Sequence, residues 1–290
     1  MRFLIVVLAA FLLPVPAPGQ TPVRIVSTSP SITETLYAMG LGPRVVGVTT
    51  FCNYPPDART KTRIGTFLEP DYERILMLKP DLVLVIKNPV NVAGRLRSLG
   101  LRVEEVDMDT VGSVLDSLFT IGRYTNAAPR ARALAQSLMR ELDEVKAVGL
   151  NGRMPTVLFL VGRAPGTLQN MVGAGPETFL DDLLKFAGGI NILAKSPIQY
   201  PKVGLEQILA ADPDVIIDMG DYAHSTGAGE ARRREELALW KPYGRLKAVR
   251  TGRVHAVTAA HFVVPGPRMA DAAREIIDFL HPGAMPGGKR

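Results

Sequence analysis

The sequence predicts an α/β protein of two similar lobes, each of the doubly wound kind with a central parallel sheet, joined by one long helix. Three observations predict it. One phrase occurs twice: residues 73–84 read Glu-Arg-Ile-Leu-Met-Leu-Lys-Pro-Asp-Leu-Val-Leu, and residues 206–217 read Glu-Gln-Ile-Leu-Ala-Ala-Asp-Pro-Asp-Val-Ile-Ile. Short aliphatic runs alternate with helical patterns on both sides of each copy. Residues 110–148, between the copies, read as helix almost throughout.

The physics of the two copies is the same. Ile75, Leu76 and Leu78, like Ile208, Leu209 and Ala211, share a helical face. The residue before a proline disfavours helix, so each helix stops at Pro80 or Pro213. Three or four aliphatic residues follow, too few for a helix and suited to a buried strand. Each copy is a helix feeding a strand of a parallel layer. Packing gives no reason for the glutamate that heads each copy, Glu73 and Glu206.

In chain order, residues 23–27 form the first strand. Ser31 and Glu34 stand at capping-box spacing, with Ser31 as N-cap, for a helix that stops at Gly40. Residues 45–48 are the next strand and 49–63 a loop. The first phrase gives a helix and strand 82–86, and helix 92–99 and strand 102–106 follow; this lobe spans residues 21–126. A joint at 126–129 puts Pro129 in a first helical turn. Ala131, Leu134, Ala135, Leu138, Leu142 and Val145 then make one apolar stripe. The linker is residues 127–149, and a helix from Pro129 to Val148 would be about 30 Å long and reach from lobe to lobe. The second lobe, 150–282, repeats the plan. It has strand 156–161, a glycine-rich loop 162–175, helix 176–187, the second phrase with strand 215–219, and loop 220–229. Helix 230–239, strand 254–257, loop 258–266 and helix 268–280 complete it. Residues 283–290 are a loose tail.

The 290 residues are 47% hydrophobic, ample for two packed units. The net charge of +6 is diffuse. Arg232-Arg233-Arg234 runs straight into Glu235-Glu236 with no interleaved aromatics, so it reads as a solvated helix face and not a nucleic-acid patch. Arg2, the apolar run 3–13 and the small, Pro-rich stretch 14–19 have the order of a secretory signal, residues 1–20, cleaved near Gly19 or Gln20. No cysteine follows that run to carry a lipid, and Cys52 is the sole cysteine, so no internal disulfide forms. The expectation is a soluble exported protein, periplasmic where the cell has two membranes.

His224, His255, His261 and His281 stand in no ligand spacing, and there is no Cys-x-x-Cys or acidic calcium loop. No metal site and no cofactor of its own is expected. With no Gly-x-Ser-x-Gly and no phosphate-binding fingerprint, the reading is a binding protein and not an enzyme. In open α/β sheets ligands bind at the C-terminal ends of the strands. Those loops offer Ser29, Tyr54, Phe67 and Lys87 in the first lobe, and Arg163, Asn170, Met171, Tyr200, His261 and Phe262 in the second. Tyr54 and Tyr200 precede prolines in turns, where a large aromatic is offered to a ligand. Phe67, after Gly65-Thr66, is either offered in the same way or packed beneath its loop. His261 reads as a hydrogen-bonder of its loop more than as a metal ligand. Cys52 either touches the ligand or is buried close to it.

Several stretches together resemble a known family: 24–27 with Ser29-Pro30-Ser31-Ile32-Thr33-Glu34, Tyr54-Pro55-Pro56, 73–83, Gly188-Gly189-Ile190-Asn191, Tyr200-Pro201-Lys202-Val203 with Glu206, and Pro265-Gly266-Pro267-Arg268. The chain from 23 to 280 resembles the helical-backbone class of periplasmic binding proteins that feed ABC importers for cobalamin, iron-siderophores and haem. The resemblance implies two Rossmann-like lobes joined by one rigid helix, a ligand cleft between them, and a monomer that closes only slightly. It also implies docking on the two permease subunits through one acidic residue per lobe, positions that Glu73 and Glu206 match. Tyr54-Pro and Tyr200-Pro resemble the cobalamin branch, which often has tryptophan where Phe67 and Tyr200 stand. The expected ligand is therefore cobalamin or a related corrinoid. The loop before Pro265, Ala260-His261-Phe262-Val263-Val264, lacks the acidic and basic pair of a well-known cobalamin binder. The alternatives are haem, or a siderophore met by Arg163 and Arg268, and, in another class, a tetrapyrrole or metal chelatase on a related two-lobed fold.

Overall fold

The computed structural model describes residues 21–150, 152–221 and 230–284. The expected leader, residues 222–229 of the expected loop with His224, and the end of the tail lie outside the described residues.

Each lobe is wound around one sheet. The first contains β1 (Ile25–Ser27), α1 (Pro30–Ala38), β2 (Val45–Val48), β3 (Thr62–Arg63), α2 (Tyr72–Met77), β4 (Leu82–Ile86), α3 (Val92–Ser98) and β5 (Val103–Val106). Its strands stand in the order β3-β2-β1-β4-β5, all parallel. Two helices then pack on each other, α4 (Val111–Tyr124) and α5 (Ala128–Gly149). The second lobe contains β6 (Thr156–Gly162), β7 (Met171–Gly173), α6 (Phe179–Phe186), β8 (Ile190–Asn191), β9 (Lys202–Val203), α7 (Leu205–Ala211) and β10 (Val215–Asp218). It continues with α8 (Glu230–Ala238), α9 (Lys247–Arg250), β11 (Val254–Ala256) and α10 (Met269–Leu280). Its sheet runs β11-β10-β6-β7-β9, with β8 beside the start of β6.

This second sheet is mixed and not wholly parallel. β7 runs antiparallel to both β6 and β9. It arises inside the glycine-rich stretch that reads as loop, because three residues are too few for periodicity to register. The two-residue strands β3, β8 and β9 are hidden in the sequence for the same reason.

The repeated phrase becomes α2–β4 in one lobe and α7–β10 in the other. Ile75 and Ile208 are buried, but Leu76 is 39% and Leu209 42% exposed. The shared apolar face read from the sequence is thus narrower: each short helix turns its isoleucine inward and its leucine outward. Both copies leave the helix alike, through a left-handed residue ahead of the proline, Lys79 (φ 45°) and Asp212 (φ 41°). The aspartates after the prolines do matching work. Asp81 Oδ2 accepts from the backbone N–H of Val23 and of Arg24, each at 2.9 Å, just ahead of β1. Asp214 Oδ2 accepts from Thr156 N–H at 2.9 Å, at the start of β6. β4 pairs with β1 and β10 with β6. Each Pro-Asp therefore ties the entry of its own strand to the entry of the neighbouring parallel one, where the ladder has not yet satisfied the backbone.

The largest apolar core is continuous across the lobes. It runs from Ile25 and Leu82 through Ala131, Leu138 and Val145 of α5 to Phe159, Ile217 and Ile277. With 22 residues, α5 is about 33 Å long, and its apolar stripe is buried from Ala131 to Val145 apart from half-buried Leu134. At its far end it meets the end of α6 at backbone contact: a Cβ on Gly188 (φ +71°) would stand 1.9 Å from Gly149 O. Only glycine allows that approach and that conformation.

Burial alone would raise the Asp214 carboxyl, but bonds from Lys247 and Thr156 outweigh it and hold its pKa at about 2, below the ordinary 3.8. A depressed carboxylate contributes stability that is complete above its unfolded value and is lost as pH falls through the folded one. Asp214→Asn is therefore expected to cost on the order of 2 kcal/mol at neutral pH. It should also flatten the loss of stability between pH 3.8 and about 2; urea unfolding at neutral and acid pH measures both effects.

Candidate functional site

Two contacts and one electrostatic coupling show which edges of the lobes face each other. Glu34 of α1 and Arg268, at the head of α10, form a bidentate pair, with Nε to Oε2 at 2.8 Å and a second bond from Nη2 to Oε1. Asp182 of α6 accepts from the Val111 N–H that opens α4, at 3.0 Å. The Tyr200 hydroxyl is raised above its usual range by burial and then by the charge of Asp109. Ser29, Tyr54, Asp109 and Arg268 all follow the C-terminal ends of strands. The sheets therefore point their ligand-binding edges at one another, with the cleft between them.

On the first lobe, Tyr54 and Phe67 are 48% and 40% exposed. Phe67 rides on a tight turn closed by Gly65 (φ +83°) and by Thr66, whose hydroxyl accepts from Glu69 N–H at 3.0 Å. Tyr54 lies against Arg268, the guanidinium carbon 4.1 Å from its ring centroid. Phe51, in the same loop, is more exposed still. Lys87 is exposed but bound to Asp107 at 3.0 Å, and that bond raises it above the usual lysine range. Ser29 is buried as the N-cap of α1, its hydroxyl accepting from Ile32 N–H at 3.3 Å. The expected cap at Ser31 is displaced because Pro30 already serves as a first-turn residue. Glu34, released from capping, reaches across to Arg268 instead. Cys52 is buried beneath this loop, its sulfur between the hydroxyls of Thr33 (3.2 Å) and Thr49 (3.0 Å), and burial pushes its thiol up.

On the second lobe, Tyr200 is 46% exposed, with Ile198 beside it in the same loop. Asn170 is exposed in a left-handed turn (φ 52°) ahead of β7. The other residues named from the sequence lie deeper. Arg163 is wholly buried: it binds Asp218 at 3.1 Å, pairs with Glu236, and donates to Thr167 O at 2.8 Å. Trp240 Nε1 donates to the same Asp218 at 2.8 Å. Met171 packs in the core with Leu158, Leu160 and Trp240. Phe262 is fully buried against Phe159, ring centroids 5.8 Å apart. His261 is buried, and its Nε2 lies 3.0 Å from Glu275. The structure thus sets Tyr54 against Arg268 of the other lobe, leaves Phe67, Tyr200, Asn170 and Lys87 exposed in loops after strands, and sets Ser29, Arg163, Met171, Phe262 and His261 beneath the surface.

Phe51, Glu34 and Asp109 were not singled out as site residues from the sequence. Phe51 carried a usable signal, an aromatic in the loop of Tyr54. Glu34 carried a misleading one, since its spacing from Ser31 suits a cap.

Among the described residues no group of three or more His, Cys, Asp or Glu is placed to hold a metal ion. A wide depression of about 530 Å³ beside Met39, Arg130 and Leu134 lies at the other end of α1, away from the strand ends.

Two lobes spanned by one helix, with aromatics facing an interlobe cleft, define a ligand carrier in which the lobes hold the ligand between them. The model of the periplasmic binding protein family matches residues 25–260, and the chain belongs to that family. Its members bind small molecules for ABC transporters and are not enzymes, and membership implies a periplasmic location. The chain is 26% identical over 272 residues to the vitamin B12-binding protein of Vibrio cholerae serotype O1, covering 93% of this chain and 92% of that protein. To the vitamin B12-binding protein of Salmonella typhimurium it is 29% identical over 275 residues, covering 94% and 96%. Among solved structures, the periplasmic vitamin B12-binding protein of Vibrio cholerae superposes with a TM-score of 0.75 at 25% identity, covering 90% of this chain and 97% of that one. A periplasmic haem-binding protein from Pseudomonas aeruginosa gives 0.75 at 25% identity, covering 91% and 95%.

The buried positions make a prediction of their own. Arg163→Met leaves Asp218 without its cation and Glu236 with Arg232 alone, and is expected to destabilise the protein by about 3–5 kcal/mol. Phe262→Ala should cost a similar amount, about 3–5 kcal/mol, through the cavity it leaves. Thermal unfolding without ligand measures both.

Proposed function

We propose that the protein captures cobalamin or a related corrinoid in the periplasm and delivers it to the permease of an ABC importer. The observation that carries this reading is the pair of aromatic walls, Tyr54 and Phe67 on one lobe and Tyr200 on the other, half exposed on either side of the cleft. A corrin is a broad ring with amide arms. Aromatic faces supply area for the ring, and Asn170 with nearby backbone groups supplies partners for the amides. The likeness to two proteins named for vitamin B12 supports the same ligand. Haem, or an iron chelate, in the same cleft is the second reading, favoured by the likeness to a haem-binding protein.

Release follows docking in this reading. Glu73 and Glu206 stand in the first turns of α2 and α7 and are exposed. In a parallel α/β layer helix N-termini lie at the C-terminal ends of the strands, so the two carboxylates flank the cleft, one per lobe. Leu76 and Leu209, exposed one turn along, add an apolar contact beside each charge. A twofold permease would read both lobes alike, with the charges setting register. The carrier acts as a monomer after removal of a leader at residues 1–20, and it needs no cofactor of its own.

Calorimetric titration of residues 21–290 with cyanocobalamin tests the ligand. One-to-one binding is expected, weakened about tenfold or more by Tyr54→Ala or Tyr200→Ala; binding of haem with silence toward corrinoids would replace the reading. Glu73→Ala with Glu206→Ala is expected to leave cyanocobalamin affinity unchanged and to abolish stimulation of the reconstituted transporter. Undiminished transport by that variant would remove the docking role.

A further inference from the structure

Among the described residues, Arg268, Lys87 and Arg163 are each held by the protein's own carboxylates. Arg268, the basic residue that touches a cleft aromatic, is held by both oxygens of Glu34. Lys87 is held by Asp107, and Arg163 by Asp218 and Glu236. Arg59 and Arg63 are turned into their own loop, onto the carbonyls of Asn53, Thr49 and Cys52. The Glu34 side chain is only 3% exposed, so solvent and salt screen its charge little. An incoming carboxylate meets Arg268 with a carboxylate already at contact distance, and the repulsion between like charges offsets what the guanidinium would give.

We infer that the cleft is charge-compensated, that it selects a flat ligand without net negative charge, and that Glu34 is the residue that sets this selectivity. The inference rests on reading the cleft as the ligand site and narrows what that site takes: a neutral or cationic amide-bearing ring, in preference to a ring with free propionates or to an anionic ferric chelate. Glu34 acts through Arg268 and is a specificity-determining residue, not a ligand contact. Its partner holds the face of Tyr54, so the same pair also fixes one wall of the cleft.

The test is a ratio of affinities for ligands of one shape and different charge. The mature protein is titrated with neutral cyanocobalamin and with its mono- and dicarboxylate derivatives, in which side-chain amides have been hydrolysed to acids. The neutral form is expected to bind about tenfold or more tightly than the dicarboxylate. Glu34→Gln keeps the shape and a bond to Arg268 but frees its charge, and should shrink that ratio about tenfold or reverse it; a purely structural role would weaken all three ligands together. If circular dichroism shows that Glu34→Gln does not fold, Asp107→Asn on the exposed Lys87 pair replaces it, with the same direction expected. If no corrinoid binds, the corrinoid reading falls, and haem is compared with its dimethyl ester, the ester being expected to bind more tightly. Wild-type protein that prefers the acid in the pair that binds, or a folded variant with the wild-type ratio, overturns the inference.

Discussion

The apolar seam along α5 is the constraint on which the rest of the structure depends. Ala131, Ala135, Leu138, Leu142 and Val145 are buried in one core that also holds residues of both sheets and of α10. A helix packed in this way is not a tether. Turning one lobe on the other would uncover apolar surface at about 25 cal/mol for each Å², and it would separate backbone atoms that meet where Gly149 lies on α6. The cleft is therefore largely preformed, as ligand sites usually are. The contacts across it, Glu34 with Arg268 and Asp182 with Val111, sit on a frame that already holds the lobes at a fixed spacing.

That spacing gives the interlobe ion pair its meaning. A buried arginine and glutamate contribute little net stability against apolar replacements, but either one alone would be an expensive charge. Here the pair also carries an aromatic wall on its guanidinium face. A single pair, its partners from opposite lobes, thus joins the lobes beside this aromatic. In the second lobe Arg163, Asp218, Glu236 and Trp240 form another such cluster, directed inward. Two arginines that look equally available to an anion in the sequence have different fates: one braces a lobe, and the other joins the two lobes through Glu34.

Much of the frame was legible in the residues. The repeated Glu-x-Ile-Leu and Pro-Asp announced two lobes, because a helix broken at a proline before a short aliphatic run has few ways to fold. The stripe from Ala131 to Val145 announced a long helix. The site was legible in part. Tyr54 and Tyr200 could be picked out as turn aromatics beside prolines, and both are half exposed at the cleft. Phe262 has the same local appearance, an aromatic in a loop after a strand, yet it is buried against Phe159. Nothing local separates the two cases, since burial depends on what the other elements bring.

By itself the sequence determined what is encoded over short range: helices that end ahead of Pro80 and Pro213, strands after them, the glycines that allow left-handed turns, and the stripe that makes α5 a core helix. Only the tertiary structure decided what depends on residues distant in the chain. That includes the antiparallel course of β7, the work of Asp81 and Asp214 at the entries of neighbouring strands, and the burial of Arg163. It includes above all the pairing of Glu34 with Arg268. Those two residues are 234 positions apart. Local propensity acts over a few residues, whereas a charge is answered by whatever the fold places within a few ångströms of it.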